Sequence, residues 1–369
     1  MGSNNMLSRF RLPGPTPLPP TVMKAMQRPM IPHRGPDMKA LYRSILDRTQ
    51  AVHRTSGDIF LWPASGSAGW EVAIVNLFSP GDTVVCAITG DFGERFAATG
   101  TKRGLNVVRV DVPWGSAVTP EQLRETLAFS PNPRGVLLTH NETSTGLTNP
   151  LEQLALVARE FDALVIVDAV SSMAGIPLEM DLWGVDFVLS GSQKAWMCPP
   201  GLLITAVGER CWEAYERASY PRFFWDFASM RKAAADGMSP TTPPLTTLFA
   251  FDAALDLILA ESVEHVWARH AALGAQMRAG VAALGLPLFA DPDYASNTVT
   301  AIAMPDGVSA KALIAQLKDR HGIDVASGQG KTADQMIRVG HMGWCDADDI
   351  DAVLDALAEA VPMVSRTGA

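Results

Sequence analysis

Lys194 closes the stretch Phe187-Val-Leu-Ser-Gly-Ser-Gln-Lys194, between an apolar run and the apolar Ala-Trp-Met that follows. A lysine in such surroundings is partly desolvated, which lowers its pKa and makes the amine a usable nucleophile. Asp168 ends a second apolar run, Leu164-Val-Ile-Val-Asp168, where a carboxylate needs a positive or hydrogen-bonding partner to offset its burial. A third run leads into Ala64-Ser-Gly-Ser-Ala-Gly-Trp-Glu71, a turn of small residues before the helical pattern Glu71–Phe78. Backbone N–H groups and hydroxyls at a helix start favour an anion. A fourth run ends in His140-Asn-Glu-Thr-Ser-Thr-Gly146, whose hydroxyls could reach a phosphate or a ring oxygen. Singly, each has an ordinary reading: a surface lysine, a capping or loop aspartate, a serine N-cap, a plain loop. Together they describe one ligand, with an aldehyde for the amine, a pyridine nitrogen for the carboxylate and a phosphate for the turn. Pyridoxal 5′-phosphate carries those groups.

Such residues share a site only if one architecture lines up the ends of their runs. Apolar, β-branched runs recur at Ile59–Trp62, Thr83–Ile88, Val107–Val112, Gly135–Thr139, Leu164–Val167, Phe187–Leu189 and Leu202–Ala206, with helix-compatible stretches between most of them. That rhythm predicts an α/β fold: a mostly parallel seven-stranded sheet with helices on both faces, whose ligands bind beyond the carboxyl ends of the strands. Before it, Leu12–Pro20 holds five prolines in nine positions and must run extended. From about Ala250 the pattern changes to helices at Phe251–Leu259, Val263–Leu284 and Ala310–His321, with strands at Thr298–Ala303 and Ile337–Val339. The Pro- and Thr-rich stretch Ser239–Thr247 is the best boundary signal. The expected organisation is an arm over residues 1–16, a large domain over 17–250 and a smaller α+β domain over 251–369.

Of the 369 residues 47% are hydrophobic and 19% charged, so the chain can bury a large core and is not disordered. Thirty Lys and Arg against 39 Asp and Glu leave a net charge of −9, which repels phosphate backbones and anionic lipid. Neither a nucleic acid nor a membrane partner is expected. The four cysteines, Cys86, Cys198, Cys211 and Cys345, have no CxxC or metal spacing and suit a reducing compartment. No apolar run has the length of a membrane span and MGSNNMLSRF has no signal-like core, so a cytoplasmic location is expected. Ala326-Ser-Gly-Gln-Gly-Lys-Thr332 looks like the end of a Walker A loop, but its first glycine would fall at Val325, and an NTPase reading is rejected. The chain also lacks a GxGxxG fingerprint. His265 and His270 are five apart on an expected helix and do not share a face, so no metal is expected.

The ordered set Pro13-Gly-Pro-Thr16, Ser65-Gly-Ser67, Asn141-Glu-Thr-Ser-Thr-Gly146, Val167-Asp-Ala-Val-Ser-Ser172, Ser190-Gly-Ser-Gln-Lys194 and Ile337-Arg-Val-Gly340 resembles the class V, fold-type I aminotransferases dependent on pyridoxal phosphate. Within them it is most similar to the alanine–glyoxylate and serine–glyoxylate (serine–pyruvate) group, over nearly the whole length. The resemblance implies that Lys194 is the Schiff-base lysine and Asp168 the partner of the pyridine nitrogen. It matches Ser65, Gly66 and Ser67 to the phosphate turn, Gln193 to a neighbouring phosphate ligand, Thr143 to a hydroxyl near the ring and Val170 to the residue packed under it. Phe92, in Gly90-Asp-Phe-Gly93, stands where the family often stacks a Trp on the pyridine; taken alone it would read as a core aromatic. Arg338 is similar to the arginine that forks the substrate carboxylate, and Gly14 joins it in the substrate-binding set. Thr241 resembles the residue that reaches the phosphate of a neighbouring subunit, which implies a homodimer with the site at its interface. The aromatic phosphate ligand of some relatives is absent, its place taken by Met238.

The resemblance implies transfer of an amino group from alanine or serine to a 2-oxo acid such as glyoxylate or pyruvate. Three other readings stay open. One is an unusual donor of pyridoxamine or ureidoglycine type, because Val266-Trp-Ala-Arg-His270 and Arg338-Val-Gly-His-Met-Gly343 resemble the C-terminal lobe of pyridoxamine–pyruvate aminotransferase. The intact Ser65-Gly-Ser67 turn argues against it, since it fits a bound phosphate. A lyase of the same fold is another, although no cysteine sits in the Gly/Ser-rich loop that a desulfurase needs, and Cys345 reads as packing. The third is a silent dimeric scaffold. Donor selection would fall to residues such as His33, Arg34 and Phe223–Trp225.

Overall fold

The computed structural model describes residues 10–365, so the first nine residues of the expected arm lie outside it. Helices α1 (Pro20–Ala25) and α2 (Pro36–His53) lead into an alternation of β1 (Asp58–Trp62), α3 (Ala68–Leu77), β2 (Thr83–Ile88), α4 (Asp91–Lys102), β3 (Asn106–Asp111), α5 (Pro120–Phe129) and β4 (Pro133–Thr139). A short hairpin of β5 (Asn141–Glu142) and β6 (Leu147–Thr148) precedes α6 (Leu151–Glu160), β7 (Leu164–Asp168), β8 (Phe187–Gly191), β9 (Leu203–Val207), α7 (Glu209–Arg217) and α8 (Phe227–Ala235). Seven strands form one sheet in the order β1-β9-β8-β7-β4-β2-β3, in which β9 runs antiparallel to both neighbours and the other pairs are parallel. Each apolar run expected as a strand belongs to this sheet, its ends displaced by two residues at most.

Both faces of the sheet are covered, which is why its strands read as continuous apolar runs rather than alternating ones. On β7, Val165 and Val167 join one core with Val136, Leu138 and Ile204, beneath α2, α6 and α9 (Leu245–Glu261). Leu164 and Ile166 join the other, with Leu137, Cys86 and Leu189, beneath α3, α4, α7 and α8. Helix α3 starts three residues before its expected position and lies close to the sheet because Gly69 has no side chain. A Cβ there would stand 2.8 Å from Leu189 Cβ and 3.0 Å from Leu203 Cδ1.

Helix α9 runs unbroken across residue 250, and its Leu248, Phe251, Leu255 and Ile258 belong to the large sheet's core. So do Val266 and Trp267 at the start of α10 (Val263–Ala283). A further core begins at Leu273 and is closed by β10 (Val299–Ala303), α11 (Ala310–His321), β11 (Ala326–Ser327), β12 (Met336–Gly340) and α12 (Ala347–Ser365). Its three strands are antiparallel in the order β10-β12-β11. The described part of the arm joins this unit to the large sheet: Gly340 N–H donates to Arg11 O at 2.8 Å, and Thr16 N–H donates to Gln193 O at 3.0 Å. Gly340 must lack a side chain here, because a Cβ would meet Leu12 O at 2.2 Å. Among the described residues no helix is long and apolar enough to cross a membrane.

Replacing Gly69 with Val should push α3 off the sheet and destabilise the chain by about 1–3 kcal/mol, the usual cost of overpacking a filled core. Urea denaturation checks this; an unchanged midpoint would show that α3 has room to give.

Candidate active site

Asp168 ends β7 and is 3% exposed. Its Oδ2 accepts from Trp70 Nε1 at 2.7 Å and its Oδ1 from the Val170 N–H at 2.9 Å. Burial pushes its pKa up, and these two bonds and the Lys194 charge pull it back. Lys194 stands in the turn after β8, also buried, with Nζ donating to Pro13 O. Its backbone is held by the Thr16 hydroxyl, which donates to Lys194 O at 3.1 Å. Burial and then the Arg338 charge lower the Lys194 pKa to about 8, against an opposing pull from Asp168. The arm closes over this amine through Gly14, whose φ of +119° suits glycine and whose Cβ, if present, would lie 2.6 Å from Lys194 Cδ.

Ser65, Gly66 and Ser67 form the turn before α3. Ser67 is the N-cap residue yet makes no side-chain capping bond, so its hydroxyl is not engaged by the helix it starts. Gly66 brings this turn against Val170: a Cβ would meet Val170 Cγ2 at 2.6 Å. Gln193 Oε1 is buried without a partner among the described residues. Phe92, the second residue of α4, is half-buried, and the Arg95 guanidinium lies over both its ring (5.4 Å) and that of Trp70 (5.3 Å).

The Thr143 hydroxyl donates to Ser171 Oγ at 2.7 Å, which ties the β5–β6 hairpin to the segment after Asp168. The neighbouring Glu142 is fully buried and accepts from the N–H groups of Phe92 (3.3 Å), Gly93 (3.0 Å) and Ser144 (3.1 Å), and from the Ser144 hydroxyl. Burial raises its pKa to about 6 despite those bonds. Gly90 makes room for it, since a Cβ would lie 2.5 Å from Glu142 Cγ. Arg338, on β12, crosses from the small sheet: Nη1 donates to Thr143 O and to Gln329 Oε1, each at 3.1 Å, and Nε donates to Ser327 O at 2.8 Å. Burial lowers its pKa to about 10, and Glu142 and Asp91 oppose that shift. Ser327 and Gln329 lie in the stretch that resembles a Walker A end, which here forms strand β11 and a short 3-10 turn at Gly330–Thr332 and seats the guanidinium.

Contacts thus link Gly14 to Lys194, Gly66 through Val170 to Asp168, and Phe92 through Glu142 and Thr143 to Arg338. Thr241 stands apart, exposed on the connection between α8 and α9, with no hydrogen bond to this cluster among the described residues. Met238 is half-buried on the same connection. Arg34 and Phe223 are exposed, while Trp225 packs on Trp62 with ring centroids 5.6 Å apart. Two contributors, Trp70 and Glu142, escaped the sequence reading. Trp70 stands there in the turn before the expected helix, with no role of its own, and Glu142 in a hydroxyl-rich loop; their partners come from other segments. A buried amine with a lowered pKa, a buried carboxylate with a donor on each oxygen and an unengaged hydroxyl at a helix start can together hold a flat aromatic aldehyde bearing a phosphate.

The family described as aminotransferase class-V matches residues 12–353. The chain is 38% identical over 353 residues to a Synechococcus protein named soluble hydrogenase, small subunit, covering 95% of this chain and 91% of that one. It is 38% identical over 338 residues to the L-aspartate–glyoxylate aminotransferase of Paracoccus denitrificans, covering 90% of this chain and 85% of that one. With the serine–glyoxylate aminotransferase of Methylorubrum extorquens it shares 36% identity over 360 residues, 95% of this chain and 89% of that one. Among solved structures, the alanine–glyoxylate aminotransferase of Nostoc sp. superposes with a TM-score of 0.91 at 31% identity, covering 95% and 94% of the two chains.

Replacing Glu142 with Gln would set an amide NH2 against backbone N–H donors at Phe92 or Gly93. The loss should be about 1–3 kcal/mol, the cost of leaving a buried donor without an acceptor. Thermal unfolding at neutral pH measures it, and an unchanged midpoint would mean those N–H groups find other acceptors.

Proposed function

The chain belongs to the class V aminotransferases, and from that membership we propose that it moves the amino group of a small amino acid, alanine or serine, to glyoxylate or pyruvate, with pyridoxal 5′-phosphate as cofactor. The observation that carries this reading is the buried Lys194 amine, its pKa lowered to about 8, within the electrostatic reach of both Asp168 and Arg338. Bound there, the cofactor would supply an aldehyde to take up the amino group and a ring to draw electrons from the amino acid's α-carbon.

The rest falls to the chain's own residues. Ser65, Gly66, Ser67 and Gln193 would hold the phosphate, Asp168 would keep the ring nitrogen protonated, and Val170, Phe92 and Thr143 would fix the ring's place. Arg338 would fork the substrate carboxylate, which would have to displace one of the three hydrogen bonds that Nη1 and Nε make without it, with Gly14 beside the same space. That carboxylate brings the α-carbon to Lys194, whose free amine accepts the α-proton and later returns it. Burial of amine and carboxylate excludes the water that would weaken both charges' effect.

The exposed Thr241 suits a role at the phosphate of a second subunit, and we take the working form to be a homodimer. The four cysteines are buried free thiols, which fits the cytoplasm.

Mixing the chain with pyridoxal phosphate should produce an absorption band in the near-violet, and borohydride should then fix the cofactor to Lys194. Lys194→Ala should lose both, and a chain that stays colourless would favour the scaffold. Single-turnover mixing with a panel of amino acids should bleach the band with alanine or serine; release of ammonia or a side-chain fragment would instead mark a lyase.

Only the unprotonated amine bonds an aldehyde, so covalent uptake by the cofactor-free chain should rise with pH through about 8 and level off above it. Uptake rates across pH 6–11 (roughly the range that spans lysine titration) check the sign. A midpoint near the ordinary lysine value of 10.5 would contradict the burial of Lys194.

A further inference from the structure

We propose that Trp70 is a positioning residue for the cofactor ring: its indole N–H holds one oxygen of Asp168, so that the carboxylate keeps one orientation and stays ionised toward the ring nitrogen. The inference rests on the role given to Asp168 above. Three observations carry it. First, the bond is short and buried, 2.7 Å between Trp70 Nε1 and Asp168 Oδ2, with Trp70 4% and Asp168 3% exposed. An indole N–H only donates, so it can steady a carboxylate without competing for a proton.

Second, the indole is held on its own account. It stacks on Phe96, with centroids 5.8 Å apart and planes 22° apart, and the Arg95 guanidinium lies over it and over Phe92. Third, Trp70 belongs to the first turn of α3, the helix that starts from Ser65-Gly-Ser67, and Gly69 lets that helix approach the sheet. One rigid element therefore carries the phosphate turn at its start and the Asp168 donor one turn later. The spacing between a phosphate held by the turn and a ring nitrogen held by Asp168 is set through Trp70. Val170 N–H occupies the other oxygen, so the carboxylate cannot swing to compensate for a lost indole.

Trp70→Phe keeps an aromatic ring and removes the donor. It should bind pyridoxal phosphate roughly 10- to 100-fold more weakly, as expected for losing one buried hydrogen bond to a charged group. Its kcat should fall while KM for alanine or serine stays within about twofold, because Arg338 and not Trp70 faces the substrate carboxylate. Trp70→His, which restores an N–H donor, should recover part of both losses. Wild-type affinity and kcat in Trp70→Phe, or a rise confined to KM, would overturn the proposal. If the wild-type chain itself takes up no cofactor, the functional reading fails instead. Should Trp70→Phe not fold, hydrogen exchange of the nine tryptophan indoles decides. One indole N–H should lose protection by about tenfold or more in Asp168→Ala, in line with one lost buried hydrogen bond. Equal protection in the two proteins would refute the contact's importance.

Discussion

A positive and a negative group buried within reach of each other at the carboxyl edge of a parallel sheet is the constraint on which this molecule turns. Desolvation disfavours both charges, pulling Lys194 down and Asp168 up, while each charge supports the other. The outcome is an amine that can lose its proton near neutral pH beside a carboxylate prevented from relaxing by donors on both its oxygens. Neither property survives exposure to water, so closing the site is a condition of the chemistry rather than an addition to it.

Closure comes from segments far apart in the chain. The arm lays Pro13, Gly14 and Thr16 over Lys194, the hairpin after β4 brings Thr143 and Glu142, and β12 brings Arg338 from the other sheet. At each crossing a side chain has been dispensed with: Gly14 against Lys194, Gly66 against Val170, Gly90 against Glu142 and Gly340 against Leu12. Arg338 is one of the links between the two sheets, since its guanidinium ties Thr143, in the hairpin after β4, to Ser327 and Gln329 beside β12.

Legibility followed the reach of each interaction. The seven strands were readable because burial on both faces demands unbroken apolar runs, and the four special strand ends because a charge or a cluster of small residues interrupts such a run abruptly. Trp70 and Glu142 were not readable as site residues. A tryptophan in a helix start and an acid in a polar loop are ordinary by composition, and what distinguishes them is a partner 98 residues away for Trp70 and about 50 residues away for Glu142. The stretch at Ala326–Thr332 shows the converse: a local pattern suggestive of one chemistry serves another, because its neighbour in space is Arg338.

By itself, then, the sequence determined which residue types stand at the strand ends and hence which small molecule they could bind, since both follow from apolar periodicity and from elementary acid–base and anion chemistry. Only the tertiary structure decided how charged those residues are and how they are held. The lowered pKa of Lys194, the paired donors on Asp168 and the seating of Arg338 arise from burial and from contacts between distant segments, and burial is a property of the packed chain that no single segment carries.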